Sequence, residues 1–247
     1  MRAAGCVFAE EEAALLLAEA HDADHVQLML RDRISGRPLE HVLGWAEFRH
    51  LRISVDDGVF VPRRRTGLLV DAALARVRSG GAVVELCCGA AAVGTALLTE
   101  SPEAIELWAS DIDPAAIVSA RRNLEPLGGR VVLGDLFDGL PDSLQHGVDI
   151  VVANAPYVPT ASIELMPFEA RAHEPAVALD GGTDGLDVQR RIVSAAGRWL
   201  APQGALVIET SERQATATMD LMRAGGLSPT LLRDEELDGT AVLGIAG

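Results

Sequence analysis

Asn154 and Tyr157 stand on either side of Ala155-Pro156, directly after the apolar run Ile150-Val151-Val152-Ala153, and Tyr157 is the only tyrosine of the chain. A polar amide and an aromatic ring delivered together by a buried run are the means of holding a ligand in one orientation. An Asn ahead of a Pro also starts ordinary turns, so the tetrapeptide has a purely structural reading too. Asp111 closes a second apolar stretch, Ile105 to Ser110, and its carboxylate is placed to accept both ribose hydroxyls of a nucleoside. Asp113, just before Pro114, has a sufficient duty as a helix N-cap. The stretch from Ala82 to Gly94 reads as strand, tight turn and helix, the unit whose backbone holds a nucleotide-like ligand. Cys87 and Cys88 within it read as small packing residues at a strand end.

These residues need elements to position them. The run ending at Ala153 suits a central parallel strand covered on both faces, and Pro156 cannot continue its ladder. Ligands of open α/β sheets bind beyond the carboxyl ends of the strands, where Asn154, Tyr157 and Asp111 would stand. Further strands are expected at 130–133, leading into Gly134-Asp135-Leu136-Phe137, at 205–210, and as a pair at 227–233 and 240–245. Helical periodicity over 68–77, 114–124, 187–200 and 214–224 alternates with them. Upstream, 8–33 is helical in pattern, with Leu16, Leu17 and Leu28 among its apolar positions, and 39–43 is a further short apolar element. Leu51 to Val55 and Val59 to Val61, separated by Asp56-Asp57-Gly58, read as a β-hairpin. The glycine-rich segment from Asp180 to Leu186 suits a flexible cover over the site. Arg63-Arg64-Arg65 reads either as a solvated run or as a contact to substrate or to an acidic neighbour.

Composition bounds the function. A chain of 247 residues, 49% hydrophobic, supports one main domain with a small appendage: 1–43, a short N-terminal helical segment, 44–61, a hairpin linker, and 62–247, the main domain that carries the site. The net charge of −15, with every basic residue an arginine, disfavours nucleic acid and favours a basic protein partner or a small ligand. The three cysteines show no disulfide or metal spacing, and the histidines no metal spacing, which fits a reducing cytoplasm and no metal. No apolar run approaches the ~20 residues that cross a bilayer, so a soluble, cytoplasmic protein without membrane contact is expected.

Asn154-Ala155-Pro156-Tyr157 resembles the Asn-Pro-Pro-Tyr signature of S-adenosylmethionine-dependent amino methyltransferases, above all the protein-(glutamine-N5) methyltransferases that modify release factors or a ribosomal protein; Ala155 departs from it. Other stretches resemble the same family in the same order: 36–48, then Pro62, Arg63 and Thr66, then Glu85 and Gly89 of the first motif, where Cys87 and Ala91 replace glycines, and finally Glu174-Pro175 with Asp180-Gly181-Gly182. The N-x-P-Y variant is similar to a subgroup of unassigned substrate. The resemblance implies a Rossmann-like, seven-stranded, mostly parallel sheet with an antiparallel last strand. It implies S-adenosyl-L-methionine as cofactor, held by Glu85, Cys87, Gly89, Ala91, Asp111, Asp135, Leu136 and Asn154. It also implies catalysis by Asn154, Ala155, Pro156 and Tyr157, with the Asn154 Oδ1 and the Ala155 carbonyl accepting the N–H bonds of a glutamine carboxamide and Tyr157 stacking on it. The partner would be a protein carrying that glutamine, such as a translation factor or ribosomal protein. Two other readings stay open: an adenine-N6 methyltransferase that flips a base onto the equivalent ring, and a non-catalytic binding protein that kept the fold and lost the cofactor.

Overall fold

The computed structural model describes residues 1, 2, 6 and 8–247, the side chain of Ala170 aside. At its centre is β6 (Val148–Ala153). Successive side chains of a strand point to opposite faces. Ile150 and Val152 accordingly pack among the helices of one face, and Val151 and Ala153 among those of the other. This is why the run is apolar at every position instead of alternating. On one side of β6 lie β3 (Ala82–Leu86), β4 (Glu106–Asp111) and β5 (Arg130–Leu133), and on the other β7 (Leu200–Glu209), β8 (Leu227–Asp234) and β9 (Gly239–Ala246). The seven-stranded order is β5-β4-β3-β6-β7-β9-β8, parallel throughout except that β9 runs antiparallel to both its neighbours. The expected sheet is therefore the observed one. The chain steps outward from β3 to β5 and then returns to lay β6 beside β3, so the strand order reverses between β3 and β6 and opens a crevice at their carboxyl ends.

Helices α4 (Gly67–Leu74), α5 (Ala92–Glu100) and α6 (Pro114–Leu124) cover one face. The other is covered by α9 (Asp187–Trp199) and α10 (Ala215–Ala224), where Phe137 stacks on Trp199 at 5.4 Å between centroids, while the short α7 (Phe168–His173) and α8 (Ala176–Leu179) lie in the chain between β6 and α9.

Two expectations for the amino-terminal part are corrected. The helical stretch is divided into α1 (Ala9–Glu19) and α2 (Ala23–Ile34), because Asp22 turns extended and caps α2 by accepting the His25 N–H at 2.8 Å. Leu16 and Met29 are buried while Leu17 and Leu28 are exposed. After α3 (Leu39–Leu43), the hairpin pairs β1 (Trp45–Phe48) with β2 (Leu51–Ser54), so Leu51 to Ser54 finds its partner before it in the chain and not at Val59 to Val61. Its turn, Arg49-His50, has both residues left-handed, the geometry whose twist suits a two-residue hairpin, without the Asn-Gly that usually signals it. Asp56 is occupied elsewhere: its carboxylate accepts from Ser119 Oγ at 2.9 Å and Arg122 at 3.0 Å on α6, and Val59 and Val61 go unpaired into the core.

Candidate active site

The crevice holds a cavity of about 240 Å3, lined by Glu85, Cys87, Gly89, Asp111, Asp135 and Leu136 toward β3 to β5 and by Asn154, Ala155, Pro156 and Tyr157 at the end of β6. Residues distant in the chain, singled out by type and spacing or by the family resemblance, thus line one cavity. Ala91 is the exception. It is fully buried and packs into the core behind the turn, because its left-handed backbone (φ 56°) turns the Cβ away from the cavity.

The turn after β3 visits the left-handed region at Cys87 (φ 52°), Gly89 (φ 53°) and Ala91, so two residues with a Cβ take conformations that cost about 1–2 kcal/mol each. Partners on both sides hold them there. Asp111 Oδ2 accepts the Gly89 N–H at 2.8 Å, its Oδ1 accepts the Asp113 N–H at 2.9 Å, and Glu85 Oε2 accepts the Gly94 N–H at 2.8 Å at the start of α5. Asp113 caps α6 by accepting from Ala115 N–H at 2.9 Å, as expected. Burial pushes the Asp111 carboxyl above its ordinary range against those backbone donors, and pushes Glu85 up to about 8. Burial, reinforced by the charge of Asp111, also drives the thiols of Cys87 and Cys88 upward, so neither is a nucleophile at neutral pH. Asp135 pairs with Arg191 of α9 at 2.8 Å. A Cβ built on Gly89 would meet nothing within 4 Å, so the inner side of the turn is open to the crevice beside Asp111. An acceptor-rich carboxylate with lone pairs to spare beside an open backbone turn fits the ribose of a nucleoside.

The other half of the cavity is built on a carboxylate whose role in the site the sequence did not single out. Glu209, at the end of β7, is 2% exposed at its side chain. Its Oε2 accepts from Thr66 Oγ1 at 2.6 Å, and its Oε1 accepts from Arg65 Nε at 3.1 Å and from the Tyr157 hydroxyl at 3.3 Å. Arg65 Nη2 donates to the same hydroxyl at 2.8 Å, and Asn154 Nδ2 donates to Thr66 Oγ1 at 3.2 Å. Among the described residues, Asn154 Oδ1 and the Ala155 carbonyl accept no hydrogen bond within the protein. Burial and then the charge of Glu209, opposed by Arg65, push the Tyr157 phenol up to about 12, so it stays protonated and is no general base. Two arginines of the run are paired and the third is solvated: Arg65 is paired with Glu209, Arg63 is paired with the buried Glu174 and lies over the Phe60 ring at 5.0 Å, and Arg64 is exposed.

The glycine-rich segment is fastened instead of free. Val158 N–H donates to Leu179 O at 3.1 Å, Gly181 N–H to Val158 O at 2.9 Å and Thr160 N–H to Gly182 O at 2.9 Å, which pins it against the exit of β6. Its glycines allow that approach: at Gly185 (φ 79°) a Cβ would lie 2.3 Å from the Tyr157 carbonyl oxygen. The one clue to Glu209 in the sequence was an acid closing the apolar run 205–208, the pattern that singled out Asp111.

A family model described as the methyltransferase small domain matches residues 51–172. The release factor glutamine methyltransferase of Geobacter sulfurreducens is 38% identical over 196 residues, covering 78% of this chain and 68% of that protein. A 4-amino-L-phenylalanine/4-methylamino-L-phenylalanine methyltransferase of Streptomyces pristinaespiralis is 36% identical, covering 80% of this chain and 69% of its own. Among solved structures, a T. thermophilus 16S rRNA methyltransferase in complex with AdoMet and guanosine shares the fold, with a TM-score of 0.59 and 18% identity over 82% of this chain and 50% of that one.

Proposed function

Because this chain belongs to the family of release factor glutamine methyltransferases, which use S-adenosylmethionine, we propose that it methylates the side-chain amide nitrogen of a glutamine in a protein substrate such as a release factor. The observation that carries the reading is the pair of unclaimed acceptors, Asn154 Oδ1 and the Ala155 carbonyl, at the end of β6. A carboxamide nitrogen has two N–H donors, and two adjacent acceptors hold it in one plane.

S-adenosylmethionine, when bound, supplies a methyl group already activated by its sulfonium. Asp111 would accept its ribose hydroxyls, with the open turn at Gly89 beside them and Glu85 setting that turn through Gly94. What remains for the chain is to bind and aim a poor nucleophile. Asn154 and Ala155 accept its N–H bonds, and these bonds strengthen as positive charge builds on nitrogen, so they stabilise the transition state more than the ground state. The Tyr157 ring packs on the planar amide, and its protonated phenol takes no proton. Replacement of the family's proline by Ala155 keeps the carbonyl, and burial of Ala155 at 1% exposure limits its freedom. A protein acceptor is further supported by the exposed apolar Leu165, Phe168 and Val177, near the cavity-lining Met166.

The test is methyl-labelled cofactor with cell extract, followed by protease or nuclease digestion. Label released by protease and resisting nuclease supports the reading. Label lost to nuclease, or found only in small aromatic amines, overturns it.

A further inference from the structure

We propose that Glu209 is a positioning residue that decides which end of the Asn154 amide faces the acceptor. This role rests on the one proposed above for Asn154. A carboxylate only accepts hydrogen bonds, and Glu209 Oε2 lies 2.6 Å from Thr66 Oγ1. A threonine hydroxyl has a single hydrogen, which this contact consumes. Toward Asn154, at 3.2 Å, Thr66 Oγ1 therefore has only a lone pair to offer, and only Nδ2 can meet it. The Asn154 oxygen is left pointing to the cavity, where an acceptor must be if the incoming group is an N–H donor. Were the hydroxyl hydrogen free, the amide could turn over and present N–H to N–H. The other oxygen of Glu209 receives Arg65 and the Tyr157 hydroxyl, so the amide and the ring that would flank one substrate group are set by a single side chain.

Glu209→Gln exchanges one of those oxygens for a donor at nearly the same volume. Thr66→Val removes the relaying hydroxyl and keeps the shape, and Thr66→Ser keeps the hydroxyl, so a variant that fails to fold leaves the others to decide. Two readouts are used: turnover with a glutamine-bearing protein acceptor, and the Asn154 side-chain amide resonances, assigned by their loss in Asn154→Ala. Glu209→Gln and Thr66→Val should each lower kcat by at least ~10-fold with cofactor affinity unchanged, Thr66→Ser should not, and the resonances should shift in the first two variants only. In the Asn154→Ala background Glu209→Gln should lower kcat by clearly less than it does in the wild type, because the amide it orients is gone and only its hold on Tyr157 remains. Unmoved Asn154 resonances in Glu209→Gln, or additive losses in the double variant, overturn the inference. A wild type that methylates no protein glutamine, with resonances that shift as expected, overturns the proposed function and leaves the positioning role standing.

Discussion

The Gly89 N–H donates to Asp111 Oδ2 at 2.8 Å, which ties the turn after β3 to the acid that ends β4 and makes one unit of two segments. With the Asp113 N–H on the other oxygen at 2.9 Å, each carboxylate oxygen is oriented and keeps a lone pair for a ligand. Asp111→Ala should weaken S-adenosylmethionine binding by roughly ten- to a hundred-fold, the ~1.5–3 kcal/mol of charge-assisted hydrogen bonds. Calorimetry measures it, and an unchanged affinity would mean that the ribose is held elsewhere.

Asn154→Ala should leave cofactor affinity within about two-fold and lower methyl transfer by at least ~10²-fold, the scale of losing one hydrogen-bonding group that acts in the transition state. Single-turnover rates at saturating cofactor separate the two effects. Transfer at the wild-type rate would reduce Asn154 to a turn residue.

Glu85 is raised by burial from 4.5 to about 8, so between those values the folded protein keeps a proton that the unfolded chain has released. The sign follows: its contribution favours the folded state below that window and is lost as pH rises through about 8. Urea midpoints should therefore fall between mildly acidic and alkaline pH, and Glu85→Gln should flatten the slope. A wild-type slope retained in the variant would place the titration on another group.

Gly185→Ala would bring a Cβ to 2.3 Å from the Tyr157 carbonyl oxygen and the same distance from Gln214 Nε2, at φ 79°. Either the loop or Tyr157 must shift. A loss of about 1–3 kcal/mol in thermal stability is expected, with lowered transfer, while Gly197→Ala, where a Cβ meets nothing, should cost little. Equal effects of the two substitutions would show that the fastening of this loop is immaterial.

The sheet was legible because burial on both faces leaves a signature that turns cannot imitate: Ile150 to Ala153 and Leu206 to Ile208 are apolar at both parities. Asn154 and Asp111 were legible for the same reason, since each ends such a run and stands at the crevice, whereas Glu209 ends one too and carried no further signal. What could not be read was pairing across distance. The Arg65–Glu209 and Arg63–Glu174 contacts join segments far apart in the chain, and an arginine run looks the same whether solvated or paired. The hairpin was misplaced because Asp56-Asp57-Gly58 carries the usual turn chemistry, whereas Arg49-His50 adopts positive φ with residues that rarely announce it. Ala91, which the family resemblance sets among the cofactor contacts, has its side chain in the core, and only the backbone geometry shows it.

The placement of β9 between β7 and β8 bears on how the protein comes into being. Glu209 pairs in register with Ala241, and the Thr210 N–H donates to Thr240 O at 3.0 Å, so the edge of β7 that carries Glu209 is completed by the strand translated after every other strand of the sheet. Asp111 and the turn at Gly89 belong to strands that leave the ribosome much earlier and neighbour one another in the sheet. The paired strands behind Asp111 and Gly89 are thus complete in sequence well before the strand that borders Glu209.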